Sequence, residues 1–382
     1  MPAKGLSPKL RISIKIILAS FILSGYKCVA NTYYTPQLMG DGYPNAINNN
    51  QLIVGTVKYP NESACFVWES IGGRTEMQRH VNGTTIFSDC RALNNQNAIA
   101  GIFRSSIGLT DYTATAIDTT ADGTAYFLDH QPATFSDAVA INDTGDVVGQ
   151  RIFFSLKNSP SEIFRWNPWR SEAQYITNPE GVRYEVADIN NSGTMVGTTE
   201  HLVVPRRYNA FFIEAGSNEP VHLKGDFASC WATDVSEYGS ILGFINKSGN
   251  TPREPVVWDA DGNIYPLPIP SEQFGSSPVV SALDINAMDQ VVGSVNYQPV
   301  IWKVVTEADG TARYVIESLG ARIDASPDLQ GYRVGEARSI NDKGDIAAIA
   351  CPDVEPFFCS IFSPGVKAVF LKARTVWSAV PD

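Results

Sequence analysis

One short phrase recurs seven times along the chain and constrains the fold more than any other feature. At 140–149 it reads Ala-Ile-Asn-Asp-Thr-Gly-Asp-Val-Val-Gly: a small residue, an aliphatic residue, Asn, a turn, two aliphatics and Gly. Consecutive copies are 46 to 55 residues apart, a spacing typical of propellers and solenoids. The repeat therefore has to be explained before any other motif. Its anchoring position holds Asn48, Asn94, Asn142, Asn190, Ser236, Asn286 and Asn341.

Each copy contains four short apolar segments separated by turn residues. In the fifth copy they fall at 232–235, 240–243, 255–258 and 264–267, and such short runs are typical of β-strands. Four-stranded antiparallel units must bury both faces, and radial stacking achieves this. An open solenoid would need polar end repeats, whereas the seventh copy keeps the apolar pattern. The sequence therefore predicts an all-β, seven-bladed β-propeller forming one domain over 31–382.

The turn after each anchor has the composition of a three-residue hairpin. A type I turn favours Asn, Asp or Ser at its first position, and a left-handed residue closes it. Three residues after the anchor, Asn97 and Asp289 are tolerated substitutes for Gly, and Gln51 is the one exception. Backbone geometry is thus the reason for these residues. The clearest predicted turn residues are Asn142, Gly145, Asn190, Gly193, Gly239, Asn341 and Gly344.

The amino terminus has the three parts of a secretory signal. Basic residues precede an apolar run at 16–23, and small residues end at Ala30. We predict a signal peptide over 1–30, cleavage after Ala30, a secreted or periplasmic protein, and no transmembrane segment in the mature chain. The segment 33–38 resembles an extra strand that would close the ring on the last blade, although 367–371 competes for that place.

The cysteine count indicates disulfides in an oxidising compartment. After cleavage five cysteines remain, which allows at most two bridges and one free thiol. Cys351 and Cys359 flank a short hairpin and are the first candidates, with Cys65 and Cys90 second. Five buried thiols are an equally good alternative, since free Cys packs as a small core residue.

Net charge narrows the class of partner. The chain carries a net charge of −11, and the signal removes five basic residues and no acidic one, leaving −16. Such a charge repels phosphate backbones. We expect no nucleic-acid partner, and instead an unknown protein or glycan ligand.

The repeated phrase, with its paired Val and Gly and a following Ala-Phe-x-Trp-like strand, resembles the HAF family of probable extracellular repeat proteins. The match covers nearly all of the mature chain. The resemblance implies a secreted bacterial repeat protein and no particular reaction. The His-Ala-Phe triplet of that family is absent, because Ala210 follows Asn209 here.

The residue two positions before the anchor differs in side-chain type between the copies. The first three hold Ala46, Ala92 and Ala140, whereas the next three hold Asp188, Asp234 and Asp284. If the first strand is innermost, these carboxylates meet in the central channel as a site for a cation or a basic ligand. The alternative is that each Asp accepts backbone amides of its own turn.

Insertions lengthen the third copy at 151–162, the fourth at 201–208 and the sixth at 307–316. Loops on a rigid scaffold often carry recognition residues, which makes Arg206 and Arg207 ligand-binding candidates beside the alternative of ordinary loop residues.

These patterns favour a non-enzymatic binding or interaction scaffold without a cofactor or a metal ion. Calcium remains a weak option, because the residues ahead of Gly193 imitate only the start of a calcium loop. The alternative is a glycan-active or calcium-dependent hydrolase that uses the channel carboxylates as acid and base.

Overall fold

The computed structural model describes residues 26–59, 63–77, 79–81, 84–105, 112–118, 125–128, 134–153, 161–170, 172–202, 206–248 and 251–381. Its strands form seven antiparallel sheets arranged in a ring. Within each sheet the strands follow chain order, and adjacent sheets pack face to face. The predicted seven-bladed β-propeller is confirmed. The predicted signal peptide lies mostly outside the described residues and stays a prediction.

Blades 1 to 6 each use consecutive strands. Blade 1 contains β2 (Tyr43–Ile47), β3 (Ile53–Lys58), β4 (Ser63–Glu69) and β5 (Gly73–Met77). Blade 2 contains β7 (Thr84–Leu93), β8 (Ala98–Ser105), β9 (Tyr112–Asp118) and β10 (Ala125–Phe127), with β6 (Arg79–Val81) as a fifth strand beside β7. Blade 3 contains β11 (Thr134–Ile141), β12 (Val147–Phe153), β13 (Ser161–Trp166) and β14 (Gln174–Thr177). Blade 4 contains β15 (Val182–Ile189), β16 (Met195–His201), β17 (Arg207–Ile213) and β18 (Val221–His222). Blade 5 contains β19 (Ser229–Val235), β20 (Ile241–Asn246), β21 (Glu254–Trp258) and β22 (Ile264–Pro266). Blade 6 contains β23 (Val280–Ile285), β24 (Val291–Val295), β25 (Gln298–Thr306) and β26 (Ala312–Ser318).

Blade 7 joins the two ends of the chain. It contains β27 (Tyr332–Ile340), β28 (Ile346–Pro352), β29 (Lys367–Pro381) and, outermost, β1 (Tyr26–Asp41). A short helix α1 (Ser271–Phe274) and two 3-10 turns (Gly320–Arg322 and Pro327–Leu329) lie between blades. The segment 33–38 is thus the fourth strand of this blade, which decides between the two placements that the sequence left open. The competition with 367–371 disappears because that segment is the third strand. The pair at 361–362 has the aromatic ending of a third strand but lies in the connection before β29.

Apolar side chains between neighbouring blades form the core. A large aromatic residue at the end of the third strand is buried in most blades, and Trp258 and Trp302 have no solvent exposure. Trp302 packs between blades 5 and 6, and Trp68 packs at 5.1 Å from Phe370 of blade 7. Burial of such rings stabilises each interface by roughly 1.5–3 kcal/mol per side chain. The aromatic series is therefore a packing device.

Every first strand contains a β-bulge near its end. The register shifts between Ala138 and Ala140 in blade 3, and the equivalent shift recurs in all seven blades. Opposite the bulge, the repeat's Gly approaches the first strand closely, so that a Cβ at Gly149 would collide with the Asp137 carbonyl oxygen. A bulge changes the direction of the following side chains. Two successive positions of each first strand consequently line the channel.

Candidate functional site: the central channel

The predicted turn residues adopt the predicted geometry. All seven positions three after the anchor have positive φ, including Gly145 at 85° and Gln51 at 63°. The anchor Asn142 accepts the backbone N–H of Thr144 (3.1 Å) and of Asp146 (2.9 Å) through its Oδ1. Gln51 therefore adopts the same left-handed backbone conformation as the other six positions, although it is not Gly, Asn or Asp. The hairpins between first and second strands share one face of the disc, which we name the Asn face.

The anchors also bond to each other around the channel, which the sequence reasoning missed. Asn142 Nδ2 donates to the backbone carbonyl of Asn190 in the next blade at 3.0 Å. Equivalent bonds of 2.9–3.1 Å join six of the seven junctions. The signal was present: a turn accepts Asp or Ser equally well, but the Asn side chain adds an NH2 group that can donate while its oxygen accepts the turn N–H groups. We name this set the anchor ring, formed by Asn48, Asn94, Asn142, Asn190, Ser236, Asn286 and Asn341.

A second ring, formed by the residues directly after the anchors, surrounds the channel mouth. Here the backbone N–H donates to a side-chain oxygen of the next blade, as from Asn95 to Asp143 (2.7 Å) and from Asp143 to Asn191 (2.6 Å). Ala287 has no side-chain acceptor, and Ser236 has no amide donor, so both rings lack a link at the junction of blades 5 and 6. The anchor and mouth residues together line a polar cavity of about 130 Å³.

Deeper in the channel lies a second cavity of about 300 Å³, lined by first strands of all seven blades. The first strands are therefore innermost, which is the condition under which the sequence places the three carboxylates together. Asp188, Asp234 and Asp284 line this cavity from adjacent blades and are half-buried. We name these three residues the acidic arc.

Each carboxylate of the arc accepts a backbone N–H of the following blade. The alternative interpretation, that each Asp accepts backbone amides of its own turn, is therefore right that backbone N–H groups are the donors. It is incomplete about the donors' position, because all three carboxylates also accept an N–H of the following blade. Ser339 of blade 7 makes the equivalent bond to Ile47 (3.2 Å). The bonds are Val235 N to Asp188 Oδ2 (3.1 Å), Val235 N to Asp234 Oδ1 (2.8 Å), Ile285 N to Asp234 Oδ2 (2.8 Å) and Ile340 N to Asp284 Oδ2 (2.8 Å).

The electrostatics of the arc favour protonation of its middle member. Burial, followed by the charges of Asp188 and Asp284, raises the pKa of Asp234 well above its usual value of 3.8. Burial also raises the pKa of Asp188. The carboxyl group of Asp234 is in hydrogen-bonding contact with those of both neighbours, so a proton on Asp234 lies between like charges. A bound cation would replace that proton.

Two arginines line the same cavity from blade 2 and from blade 7, which is next to blade 6. Arg91 pairs with Asp137 at 2.7 Å, and Arg338 pairs with Glu336 at 2.7 Å. Within the described ranges, no lysine or arginine forms an ion pair with the acidic arc. The sequence reasoning missed these arginines, because only the bulge shows that their position faces the channel. The channel consequently has an acidic side on blades 4–6 and paired arginines on blades 2 and 7.

Arg206 and Arg207 lie elsewhere, in the hairpin between β16 and β17. That hairpin connects second and third strands, so it projects from the face opposite the Asn face. Arg206 pairs with the buried Glu200 at 3.0 Å, while Arg207 is exposed. The structure therefore does not bring either residue to the acidic arc. For Arg206 the contact is structural.

Both predicted cysteine pairs form disulfides. Cys351 and Cys359 join the two sides of the connection before β29, and Cys65 in blade 1 joins Cys90 in blade 2. Cys230 is free and buried. Of the two bridges, only Cys65–Cys90 links neighbouring blades.

Comparisons with known proteins support the fold. No family model matches the chain, and no curated protein matches it. Among solved structures, the β-propeller domain of the Trilobed protease from Pyrococcus furiosus matches 90% of this chain and 97% of its own, with a TM-score of 0.55 and 11% identity. Streptogramin B lyase matches 91% and 98% (TM-score 0.47, 10% identity). TolB from Acinetobacter baumannii matches 70% of this chain and 63% of its own length (TM-score 0.42, 14% identity).

The ring geometry, together with the likeness to the Pyrococcus furiosus propeller domain, defines the class of this chain. It is a seven-bladed β-propeller in which the first strand, β1, completes the last blade. At such low identity the likenesses extend to the fold alone.

Proposed function

We propose that this protein is an exported binding scaffold whose central channel receives a ligand with a positively charged organic group. The observation that carries this proposal is the acidic arc. Three adjacent blades place carboxylates in a cavity of about 300 Å³, where three other blades place Ala46, Ala92 and Ala140. A ring of hydrogen-bonded blades holds these groups in position, which lowers the ordering cost of binding.

An organic cation fits better than calcium. Within the described residues, no group of three or more His, Cys, Asp and Glu side chains is arranged to hold a metal ion. Calcium takes six to eight oxygen ligands, whereas the arc oxygens already accept backbone N–H groups. An ammonium or guanidinium group needs fewer acceptors. Binding of such a cation would also be strengthened by the negative charge of the acidic arc once Asp234 loses its proton.

The alternative function, a two-carboxylate glycan hydrolase, fits the bonding of the arc less well. Such an enzyme needs one carboxyl group as acid and a second as base or nucleophile. In the arc, a backbone N–H of the following blade occupies an oxygen of each carboxylate. The experiment still tests this alternative, because all three carboxylates line one cavity.

The test compares the wild type with the triple variant Asp188→Asn, Asp234→Asn and Asp284→Asn. Asn keeps an oxygen for the backbone N–H of the next blade, so folding is preserved, which Asp→Ala would not ensure. Isothermal titration with spermidine should show saturable binding that the triple variant loses. Calcium chloride and a glycan array with and without calcium test the other two ligands.

A matched control removes the same charge outside the channel, through Asp226→Asn, Glu272→Gln and Asp353→Asn. It should bind spermidine like the wild type. Equal binding by the wild type and the arc variant would refute the channel site. Calcium-dependent glycan turnover that the arc variant loses would establish the hydrolase instead.

Export is a second part of the proposal, and kinship with the HAF repeat proteins belongs with it. Two disulfides are compatible with an oxidising compartment. Cleavage after Ala30 would remove the first five residues of β1 and leave the pairing from Asn31 with Val376 onward. Mass spectrometry of the protein recovered from periplasm or medium should give an amino terminus at Asn31.

A further inference from the structure

A cavity of about 150 Å³ lies between blades 5 and 6, outside the central channel. One wall is the hairpin β25–β26, whose strands have nine and seven residues. The other wall is the turn between β21 and β22, which are strands of five and three residues. The sixth-copy insertion at 307–316 is what lengthens this hairpin. It extends beyond the neighbouring blade on the Asn face. The insertion therefore builds one wall of the cavity.

The interior of this cavity is apolar and aromatic. Val257 and Tyr314 are buried with 2% and 6% exposure, and Val304 and Tyr265 complete the lining. A dry cavity of roughly 150 Å³ is large enough for benzene. The space consequently suits a compact organic group.

The charges around the cavity are mainly negative. Asp259 and Asp289 both line it. Arg313, the one base among its lining residues, pairs with Glu307 of the same hairpin. Asp289 accepts a long hydrogen bond from Ser236 (3.4 Å), and Asp259 accepts the hydroxyl of Tyr265 at 3.2 Å. Two carboxylates are thus left without a cationic partner among the described lysines and arginines.

We propose that this cavity binds a small organic ammonium ion. Asp259 and Asp289 supply the countercharge, and the rings of Tyr265 and Tyr314 supply aromatic surface, which attracts cations. An inorganic cation would lose its hydration shell against Val257 and Val304 without replacement, and an anion would meet two carboxylates. This site is separate from the acidic arc and does not depend on the proposed function of the channel.

The test uses tetramethylammonium chloride, with binding followed by saturation-transfer NMR on its methyl protons and by calorimetry. The key variant is Asp289→Asn. The equivalent position in blade 2 is Asn97, which has the same left-handed backbone (φ 63° against 55° for Asp289), so the fold tolerates this change. We expect at least about a fivefold loss of affinity, since a carboxylate at a partly desolvated cation is worth roughly 1 kcal/mol or more. Asp309→Asn, in the exposed turn of the same hairpin, removes an equal charge and should leave affinity unchanged.

Sodium chloride at equal concentration and tert-butanol, an uncharged compact ligand, complete the design. Selective, saturable binding of tetramethylammonium that only Asp289→Asn weakens supports the site. Three results would overturn it: no saturable binding, equal affinity of Asp289→Asn and the wild type, or tert-butanol binding as tightly as tetramethylammonium. Unchanged melting temperatures of both variants show that affinity, and not folding, is being measured.

Discussion

Asp234 occupies the middle of the acidic arc and links channel chemistry to stability. Its pKa is raised by burial and by its two acidic neighbours, so the folded protein keeps a proton that the unfolded chain has lost. The unfolded state then binds fewer protons, and stability decreases as pH rises from about 3.8 through the raised pKa. Ionisation of Asp234 is therefore a cost to the fold.

We predict that Asp234→Asn removes much of this decrease in stability with rising pH. The amide keeps an acceptor for the Ile285 N–H and carries no charge at any pH. Denaturant unfolding at several pH values should show the wild type losing stability with rising pH and the variant losing distinctly less. An exposed control, Asp226→Asn, should follow the wild type. An unchanged slope in Asp234→Asn would contradict the raised pKa.

Asp137 also makes the stability of the fold decrease with rising pH, over a narrower pH range. Burial raises its pKa to about 6 despite the opposing charge of Arg91. Its share of the loss is therefore centred near pH 6 and ends about one pH unit higher. The Asp234→Asn variant keeps this share, so the loss that remains in it includes that of Asp137.

At the scale of the strand, the bulge and the Gly opposite it act as one element. A Cβ at Gly149 would lie 2.6 Å from Phe164 Cζ and against the Asp137 carbonyl oxygen. Blade 7 holds Ala348 at this position, and its first strand has a second register shift, between Val334 and Glu336, besides the shared one between Ala337 and Ser339. The second shift accompanies the extra side chain.

We predict that Gly149→Ala lowers the free energy of unfolding by about 1–3 kcal/mol, the usual cost of overpacking. The control is Gly320→Ala, because the nearest atom to a Cβ there is Ser318 Oγ at 3.8 Å. Chemical denaturation of both variants measures the difference. A Gly149→Ala variant as stable as Gly320→Ala would mean that the strands can move apart at low cost.

Elements also show where sequence reasoning succeeds. Blade number, hairpin turns and the position of the buried Trp258 depend on local pattern and spacing, and they were predictable. The third strand of blade 7 was not, because 361–362 has the right aromatic composition but lies in a connection closed by the Cys351–Cys359 disulfide. Strand identity there depends on which segment reaches the edge of β28.

The acidic arc was predictable in composition and not in bonding. The Asp residues recur in one register, which places them together once first strands are innermost. Their partners, such as Ile285 for Asp234, are in another blade, and such contacts exist only when the ring closes. Arg91 and Arg338 were not predictable either, because the direction of their side chains depends on the bulge.

At the scale of the whole molecule, the anchor ring connects each blade to the next at six of the seven junctions. It runs from Asn341 back to Asn48 (3.0 Å), where blade 7 meets blade 1. Ser236 Oγ accepts the Ser240 N–H of its own turn (3.1 Å) and donates a long bond of 3.4 Å to Asp289 of blade 6. Serine therefore satisfies the turn and lacks the bond to the anchor carbonyl of the next blade. This difference allows that bond to be measured by itself.

We predict opposite effects of two single exchanges. Asn142→Ser should keep its turn, lose the bond to Asn190 and lower the free energy of unfolding by about 0.5–1.5 kcal/mol, the net value of one hydrogen bond. Ser236→Asn should donate to the Asn286 carbonyl and raise it by a similar amount. The double variant moves the gap from the junction of blades 5 and 6 to that of blades 3 and 4, so its stability should return near the wild type. Denaturant unfolding of the three proteins measures this. If Ser236→Asn destabilises while Asn142→Ser is neutral, the blades are held by their apolar interfaces alone, and the anchor amides do not contribute to closing the ring.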